Sequence, residues 1–305
     1  MFPLLEGKCA VVTGGGRGQG REIALAMARQ GVKVVVNDLG GEVDGTGSDC
    51  APADEVVAEI NKSGGIAIAS YDSVADFTAA EKIIDSCVNN FGRIDILVNC
   101  AGIGGLGRIP FWEVKKEDWD AVIVVNLNGT FNTCRHALAY MVKQKTGRLI
   151  NFSSPAWLGL GASAYTASKG AVVSLTTGLA QQMALEGYQI TCNSLVPIAE
   201  TRMSPRRGSE GYKRLFQAGL MGRQVYEESC DPSGPEHIPA IVLYLATDEA
   251  VDINGQVIGA SRGRVALYSR PTEIRGLYKD GVWTLDELVQ RIPATLAQGL
   301  PKVIG

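Results

Sequence analysis

Residues 8–38 read KCAVVTGGGRGQGREIALAMARQGVKVVVND, and the order of the pieces decides the fold. Lys8–Thr13 is a short apolar run, the pattern of a buried strand. Gly14–Gly20 follows, a turn with five glycines in seven positions. So many glycines are costly in chain entropy unless the backbone must approach something closely. The helical pattern REIALAMARQ comes next and is closed by Gly31. Val32–Val36 is β-branched and predicts a second strand, ending on Asn37-Asp38. Strand, glycine turn, helix, strand, acid is the order that sets a pyrophosphate on a helix N-terminus and a ribose against a carboxylate. The spacing is T-G-x-x-x-G-x-G, on Thr13, Gly14, Gly18 and Gly20, not the common G-x-G-x-x-G. Gly14, Gly16, Arg17, Gly18, Gln19 and Gly20 form the candidate cradle, and Asp38 is the candidate ribose ligand.

The alternation continues. Strand patterns lie at 8–13, 32–37, 65–70, 94–99, 147–153, 189–196 and 256–260. Helical patterns fill the gaps, at about 19–30, 52–63, 76–91, 118–143, 163–186 and 236–247. Alternating strands and helices predict an α/β, doubly wound parallel sheet of about seven strands with helices on both faces. Residues 1–260 are read as one catalytic domain. Residues 39–51 form a long loop after the second strand. Residues 198–234 are polar and punctuated by Gly and Pro, with a possible helix near 209–218, and 261–305 extend past the fold.

A second feature is Tyr165-Thr166-Ala167-Ser168-Lys169, within a helical stretch. Residues four apart share one helix face. At about 4 Å and an effective dielectric of about 20, the ammonium favours phenolate by on the order of 4 kcal/mol before its own desolvation is subtracted. That is up to about three pKa units, enough to bring a tyrosine into acid/base range.

Seven motifs in this order resemble the classical short-chain dehydrogenase/reductase family over roughly residues 5–260. They are Thr13-Gly14…Gly18-x-Gly20; Asp72 in Tyr71-Asp72-Ser73-Val74; Asn99-Cys100-Ala101-Gly102; Asn126 in Val125-Asn126-Leu127-Asn128-Gly129; Ser153-Ser154; Tyr165-x-x-x-Lys169; and Asn193-Ser194-Leu195-Val196-Pro197 with Thr201. The resemblance implies a catalytic set of Asn126, Ser154, Tyr165 and Lys169. Tyr165 would exchange a proton with the substrate oxygen, and Ser154 would hold that oxygen. Lys169 would lower the Tyr165 pKa and bind the nicotinamide ribose. Asn126 would hold a water that links Lys169 to solvent. The implied dinucleotide contacts are the turn, Asp38, Asp72 and Ser73, Asn99, Ala101 and Gly102, Tyr165 and Lys169, and Pro197 and Thr201. The resemblance also implies that 198–234 is a substrate lid and that 39–51 is longer than the family needs. Two departures stand out. Ser154 lies 11 residues before Tyr165 and Ser153 lies 12 before, with strand alignment favouring Ser154. Ile198 follows Pro197 where the family usually has glycine.

Asp38 would repel a 2′-phosphate, whereas Arg17 would attract one; the reading favours NAD over NADP. Val35–Gly41, Ala53–Val57, Ala69–Val74 and Thr201-Arg202-Met203 resemble the hydroxyacyl-CoA dehydrogenase part of peroxisomal multifunctional enzymes and bacterial single-domain relatives. That implies a secondary alcohol on an acyl-CoA; a free sterol, terpene or other cyclic alcohol stays open, as does a non-catalytic scaffold subunit. Arg206, Arg207, Lys213, Arg214 and Arg223 either meet CoA phosphates or form a solvated basic face.

A hydrophobic share of 46% gives ample core, and a net charge of −3 gives no reason to expect nucleic acid or an anionic membrane as partner. Seven scattered cysteines without C-x-x-C spacing read as buried reduced thiols. His136 and His237 read as structural, and no metal site is expected. No signal peptide, transmembrane run or S-K-L ending is read, so a cytoplasmic protein is expected. The helices near 118–143 and 163–186 are apolar over more than one stripe and predict a homo-oligomer, a tetramer or a dimer. The tail carries Trp283, Tyr268, Tyr278 and many aliphatic residues, too much apolar surface to leave in water. It is expected to pack on the body or on a neighbouring subunit, with a capping box at Thr284–Glu287. Arg262, Arg264, Arg270 and Arg275 could meet an anionic substrate tail there or be solvated.

Overall fold

The computed structural model describes residues 4–104, 109–159, 163–203 and 210–300, without the side chains of 210 and 211. Eight strands form one sheet: β1 (Cys9–Thr13), β2 (Lys33–Asn37), β3 (Ile66–Ser70), β4 (Ile96–Asn99), β5 (Thr146–Phe152), β6 (Gln189–Ile198), β7 (Val257–Ser261) and β8 (Arg264–Leu267). Their order is β3-β2-β1-β4-β5-β6-β7-β8; all neighbours pair in parallel except β7 and β8. The antiparallel β8 was not foreseen. It is too short for a clear alternation signal, and two residues of turn separate it from β7. The order reverses between β1 and β4, and a crevice opens there at the carboxyl ends of the strands, where open α/β sheets take ligands.

Strand alternation sorts the core into two layers. Val12, Val34, Val36 and Val98 face α1 (Gly18–Arg29), α2 (Ala51–Lys62) and α9 (Pro239–Ala246). Val11, Val35, Leu97 and Leu149 face α3 (Phe77–Phe91), α5 (Gly129–Gln144) and α6 (Ala164–Leu185). Both faces are covered, which is why the central strands read as continuous apolar runs.

The single helix expected at 118–143 is interrupted. α4 (Lys116–Ile123) passes into one π turn, Val124–Asn128, before α5 resumes. A π turn inserts one residue and so shifts the apolar stripe by one position, a phase break that does not show in helices apolar over more than one stripe. The helix expected near 209–218 is α7 (Glu210–Gln217), and α8 (Arg223–Cys230) follows it. Beyond β8 the chain runs extended to α10 (Leu285–Arg291), whose Thr284 and Glu287 form the expected capping box. Ile274, Tyr278, Val282 and Leu285 are all at least 75% exposed, so this stretch covers little of its own body.

Candidate active site

The crevice encloses about 700 Å³, with the glycine turn at one end and Tyr165 at the other. The turn explains its glycines. Gly14 and Gly18 have φ of +65° and +53°, a region that side chains rarely adopt. A side chain on Gly20 would collide with the Gly14 carbonyl, and one on Gly14 would lie 2.9 Å from the Ala101 nitrogen. The turn is thus closely packed against the end of β4. It leads into α1, whose first turn holds no acidic residue and no side-chain cap. The N–H groups of that turn are left for an anion.

Of the residues read as dinucleotide contacts, Gly14, Arg17, Gly18, Gln19, Gly20, Asp38, Asp72, Ser73, Ala101, Gly102, Pro197 and Thr201 line the crevice. Three expected contacts do not. Asn99 is buried and turned away: its amide donates to Asn151 Oδ1 at 2.9 Å, and its oxygen accepts from Thr133 at 2.7 Å. Thr13 accepts from the Ala101 N–H at 3.2 Å, which positions that loop. Gly16 donates its N–H to Asp38 Oδ2 at 2.8 Å and does not face the cavity.

Asp38 also accepts from the Gly40 N–H at 2.7 Å, so two main-chain donors fix its carboxylate at the rim. Arg17 reaches the Gly41 carbonyl at 3.5 Å and lies 3.9 Å from Asp49.

At the other end, Ser163 caps α6 by accepting the Thr166 N–H at 3.2 Å, which places Tyr165 in the first turn. Ser154 accepts the Ala156 N–H at 3.3 Å and lines the crevice together with Tyr165, near enough to act on the tyrosine hydroxyl. Ser153 instead donates to the Lys169 carbonyl at 2.9 Å, so the two serines face opposite ways. Lys169 Nζ donates to the Phe152 carbonyl at 2.8 Å and lies 5.7 Å from the Tyr165 ring centre. Burial pulls Lys169 down to about 8. Burial also pushes Tyr165 above its ordinary value, and the nearby Ser154 hydroxyl opposes this only in part. The expected lowering of the tyrosine by the lysine is therefore not seen in this crevice. The lysine is committed to a main-chain carbonyl and its own charged form is penalised.

Asn126 sits in the π turn, buried behind the crevice. It accepts the Ile103 N–H at 2.8 Å and donates to the Ile103 carbonyl at 3.1 Å and to Ser168 at 3.3 Å. Both amide protons are committed, so the side chain ties Ile103 to α6. Val125 and Ile103 line the cavity wall.

The substrate end holds residues that the motifs had not singled out: Tyr212, Met221, and Ala156 after Ser154. Ile198 lines the floor and is the last residue of β6. The basic residues behave differently from expectation. Arg206 and Arg207 lie outside the described residues. Lys213, Arg214 and Arg223 are exposed and do not line the crevice. Arg262 pairs with Asp231 at 2.8 Å and Arg264 with Glu228 at 3.3 Å, while Arg270 donates to the Gly255 carbonyl at 2.7 Å. Arg275 bonds carbonyls of Thr295, Leu296 and Gln298. Arg262, Arg264 and Arg270 thus tie the tail to the body and Arg275 ties it to itself, so all four are engaged within the protein.

His136 is buried against the Phe77 carbonyl at 3.0 Å, while His237 is exposed beside Glu236. Among the described residues, no three His, Cys, Asp or Glu side chains gather where they could hold a metal. All seven cysteines are free; Cys50, contrary to expectation, is exposed. No helix among the described residues is long and apolar enough to cross a membrane.

A family model described as short chain dehydrogenase matches residues 8–210. The chain is 39% identical over 260 residues to the peroxisomal hydratase-dehydrogenase-epimerase of Saccharomyces cerevisiae, covering 84% of this chain and 26% of that enzyme. It thus spans about a quarter of the yeast enzyme's length. It is 36% identical over 295 residues to the hydroxyacyl-CoA dehydrogenase ChsB1 of Mycobacterium tuberculosis, covering 93% of this chain and 87% of that one. A crystal structure of a short chain dehydrogenase from Mycobacterium avium superposes with a TM-score of 0.79 at 34% identity, covering 96% of each chain. With the glycine turn, the Ser154–Tyr165–Lys169 arrangement and these likenesses together, the chain belongs to the short-chain dehydrogenase family.

Proposed function

We propose that this enzyme interconverts a secondary alcohol and a ketone on a 3-hydroxyacyl-CoA-type substrate, with NAD as hydride carrier. The observation that carries the reading is one crevice lined by Ser154, Tyr165 and Lys169 at one end and by the uncapped start of α1 beside Asp38 at the other. The residues present fit a dinucleotide. Gly18, at a positive φ, lies against Thr201, where an added Cβ would sit 3.6 Å from the Thr201 methyl, and the Asp38 carboxylate is fixed at the rim where a ribose would lie and a 2′-phosphate would be repelled. When bound, the nicotinamide would accept or give the hydride.

The chain's own groups supply the rest. Ser154 holds the substrate oxygen beside the Tyr165 hydroxyl. Tyr165 gives that oxygen a proton in reduction and takes it back in oxidation. Its raised pKa keeps the phenol protonated at neutral pH, which suits the donor role. Lys169 lies behind it, anchored by Phe152, where its ammonium stabilises negative charge as the proton leaves. The hydroxyacyl assignment is supported by the likeness to ChsB1 and to the yeast enzyme, and by the apolar wall of Ile198, Met203 and Met221.

The protein works as a homo-oligomer, a tetramer or a dimer. Phe131 on α5 and Leu185 on α6 are 47% and 89% exposed, and the tail carries its own uncovered apolar residues. Residues 261–300 bound the substrate entrance, held by Arg264 to Glu228 of α8 and by Arg262 to Asp231 just after it, and pack on the body or on a neighbouring subunit. The free thiols support a reducing compartment, read as the cytoplasm. A panel of 3-hydroxyacyl-CoAs and free cyclic alcohols with NAD and NADP, followed by reduced-cofactor absorbance, tests the substrate. Turnover of the free alcohols alone would overturn the acyl-CoA assignment. Light scattering tests the assembly, and a monomeric mass at micromolar concentration would refute it.

A further inference from the structure

The long loop between β2 and α2 is ordered by its own bonds. The Asp49 N–H donates to the Leu39 carbonyl at 3.0 Å, and the Glu42 N–H to the Thr46 carbonyl at 2.7 Å. Gly40, Gly45 and Gly47 have φ of +74°, +88° and +73°, and these fold it back on itself. Its tip then crosses the crevice. The Val43 carbonyl accepts the Gly104 N–H at 3.0 Å, one residue beyond the Ile103 that Asn126 pins. Gly45 packs on Ile103; a Cβ there would lie 3.1 Å from its Cδ1.

The opposite rim reaches across as well. Arg202, next to Thr201, donates to the Gly41 carbonyl at 2.8 Å and lies 3.7 Å from the Glu42 carboxylate. Arg17, from the glycine turn, bonds the same carbonyl. Two guanidinium groups from different elements thus meet on one carbonyl oxygen of the loop. Gly41, Glu42 and Val43 line the crevice from above, and Arg17 and Arg202 line it too. The turn carrying Arg17 is where a pyrophosphate would be held, so whatever is seated there lies under this bridge.

We propose that residues 39–49 are a strap roofing the bound dinucleotide, and that Arg202 is its latch: the dinucleotide enters and leaves when Arg202 releases Gly41 and Glu42. The inference rests on the dinucleotide reading above. Arg202 is a positioning residue here. An exposed ion pair is weak, and its hydrogen bond to a carbonyl is a single contact, so the latch opens readily. Closure of such a segment sequesters the ligand and often sets its release rate.

A gate and a ligand contact differ in kinetics. Opening a gate speeds both entry and exit, whereas losing a contact speeds exit alone. Stopped-flow fluorescence of NADH binding and release by the full chain separates them. Arg202→Ala is expected to raise both rates by about tenfold, with the dissociation constant moving less than either rate. Arg202→Lys, which keeps the charge, should fall between. Hydrogen exchange across 39–49 should quicken in Arg202→Ala while the β-strands keep the parent's protection, which also shows that the variant folds. Unchanged rates, or faster release with unchanged association, would overturn the latch alone. No NADH binding by the parent protein would overturn the dinucleotide reading and the latch with it.

Discussion

Tyr268 meets Trp157 edge to face, with ring centres 5.8 Å apart and planes at 85°. Trp157 is three residues past Ser154 and donates its main-chain N–H to the Ser154 carbonyl at 3.0 Å. The first residue after β8 therefore presses on the turn that aims the candidate substrate-holding hydroxyl.

Tyr268→Ala should remove that pressure. A partly buried aromatic pair of this geometry contributes about 0.5–1.5 kcal/mol beyond its area, and the truncation should cost about 1–3 kcal/mol in all. Chemical denaturation measures the stability. Turnover should fall with little change in NADH affinity, because Ser154 lies at the substrate end. Equal turnover in parent and variant would mean that the tail does not support Ser154. Tyr268→Phe, which keeps the ring, should behave like the parent.

Tyr165→Phe deletes the proton donor and keeps the ring. Activity should fall by about 100-fold or more, the usual size of a general acid/base contribution. NADH binding, followed by fluorescence, should stay near the parent value. Activity within tenfold of the parent would remove Tyr165 from the mechanism.

Lys169 gives stability its own pH dependence. Its folded value is lowered from 10.5 to about 8 by burial. Below pH 8 the lysine is charged in both states, and the folded protein bears the full penalty of burying that charge. Between about 8 and 10.5 the unfolded chain binds more protons, so stability rises with pH, by on the order of 3 kcal/mol at the limit. Tyr165, with its value raised by burial, acts oppositely and lowers stability above its unfolded value of 10. The window is therefore pH 8 to 10. Lys169→Met should be more stable than the parent at pH 7 and lose the rise between pH 7 and 9.5, as read by urea denaturation. A rise that persists in the variant would assign it to another group.

Asp38→Ala should shift cofactor choice toward NADP by about tenfold or more in the ratio of kcat/KM values, since a like charge near the 2′-phosphate is removed while Arg17 stays. It also frees the Gly16 and Gly40 N–H groups, so NADH binding should weaken in the same variant. A parent enzyme that already prefers NADP would contradict the role given to Asp38.

The fold was legible because the apolar runs at β1, β2 and β4 and the glycine turn between them are local signals that the tertiary structure only reinforces. Tyr165 and Lys169 were legible because helix spacing alone puts them together. Asn99 was misplaced although the information was present. Strand alternation puts it on the same face as Leu97, toward α5, and a motif match does not say which way a side chain points. The reading of Ser154 over Ser153 is a face choice of the same kind, and the structure turns the Ser153 hydroxyl to the Lys169 carbonyl. The strap and the π turn left no such trace. The strap depends on a contact between Val43 and Gly104, and the π turn on a helix that must swing Asn126 inward. Both are set by contacts distant in sequence.

The antiparallel β8 has a bearing on how the chain behaves at high concentration. β7 lies inside the sheet only because β8 pairs with it, from Ile258 opposite Leu267 to Ser261 opposite Arg264. Cut at Gly263, the chain would end its sheet on Val257–Ser261, a buried run with no charge and with open N–H and C=O groups along one side. Such a rim templates edge-to-edge growth between molecules. β8 moves that rim from the buried, uncharged β7 run onto a short strand that opens with Arg264, a consequence for the whole fold that lies apart from the crevice.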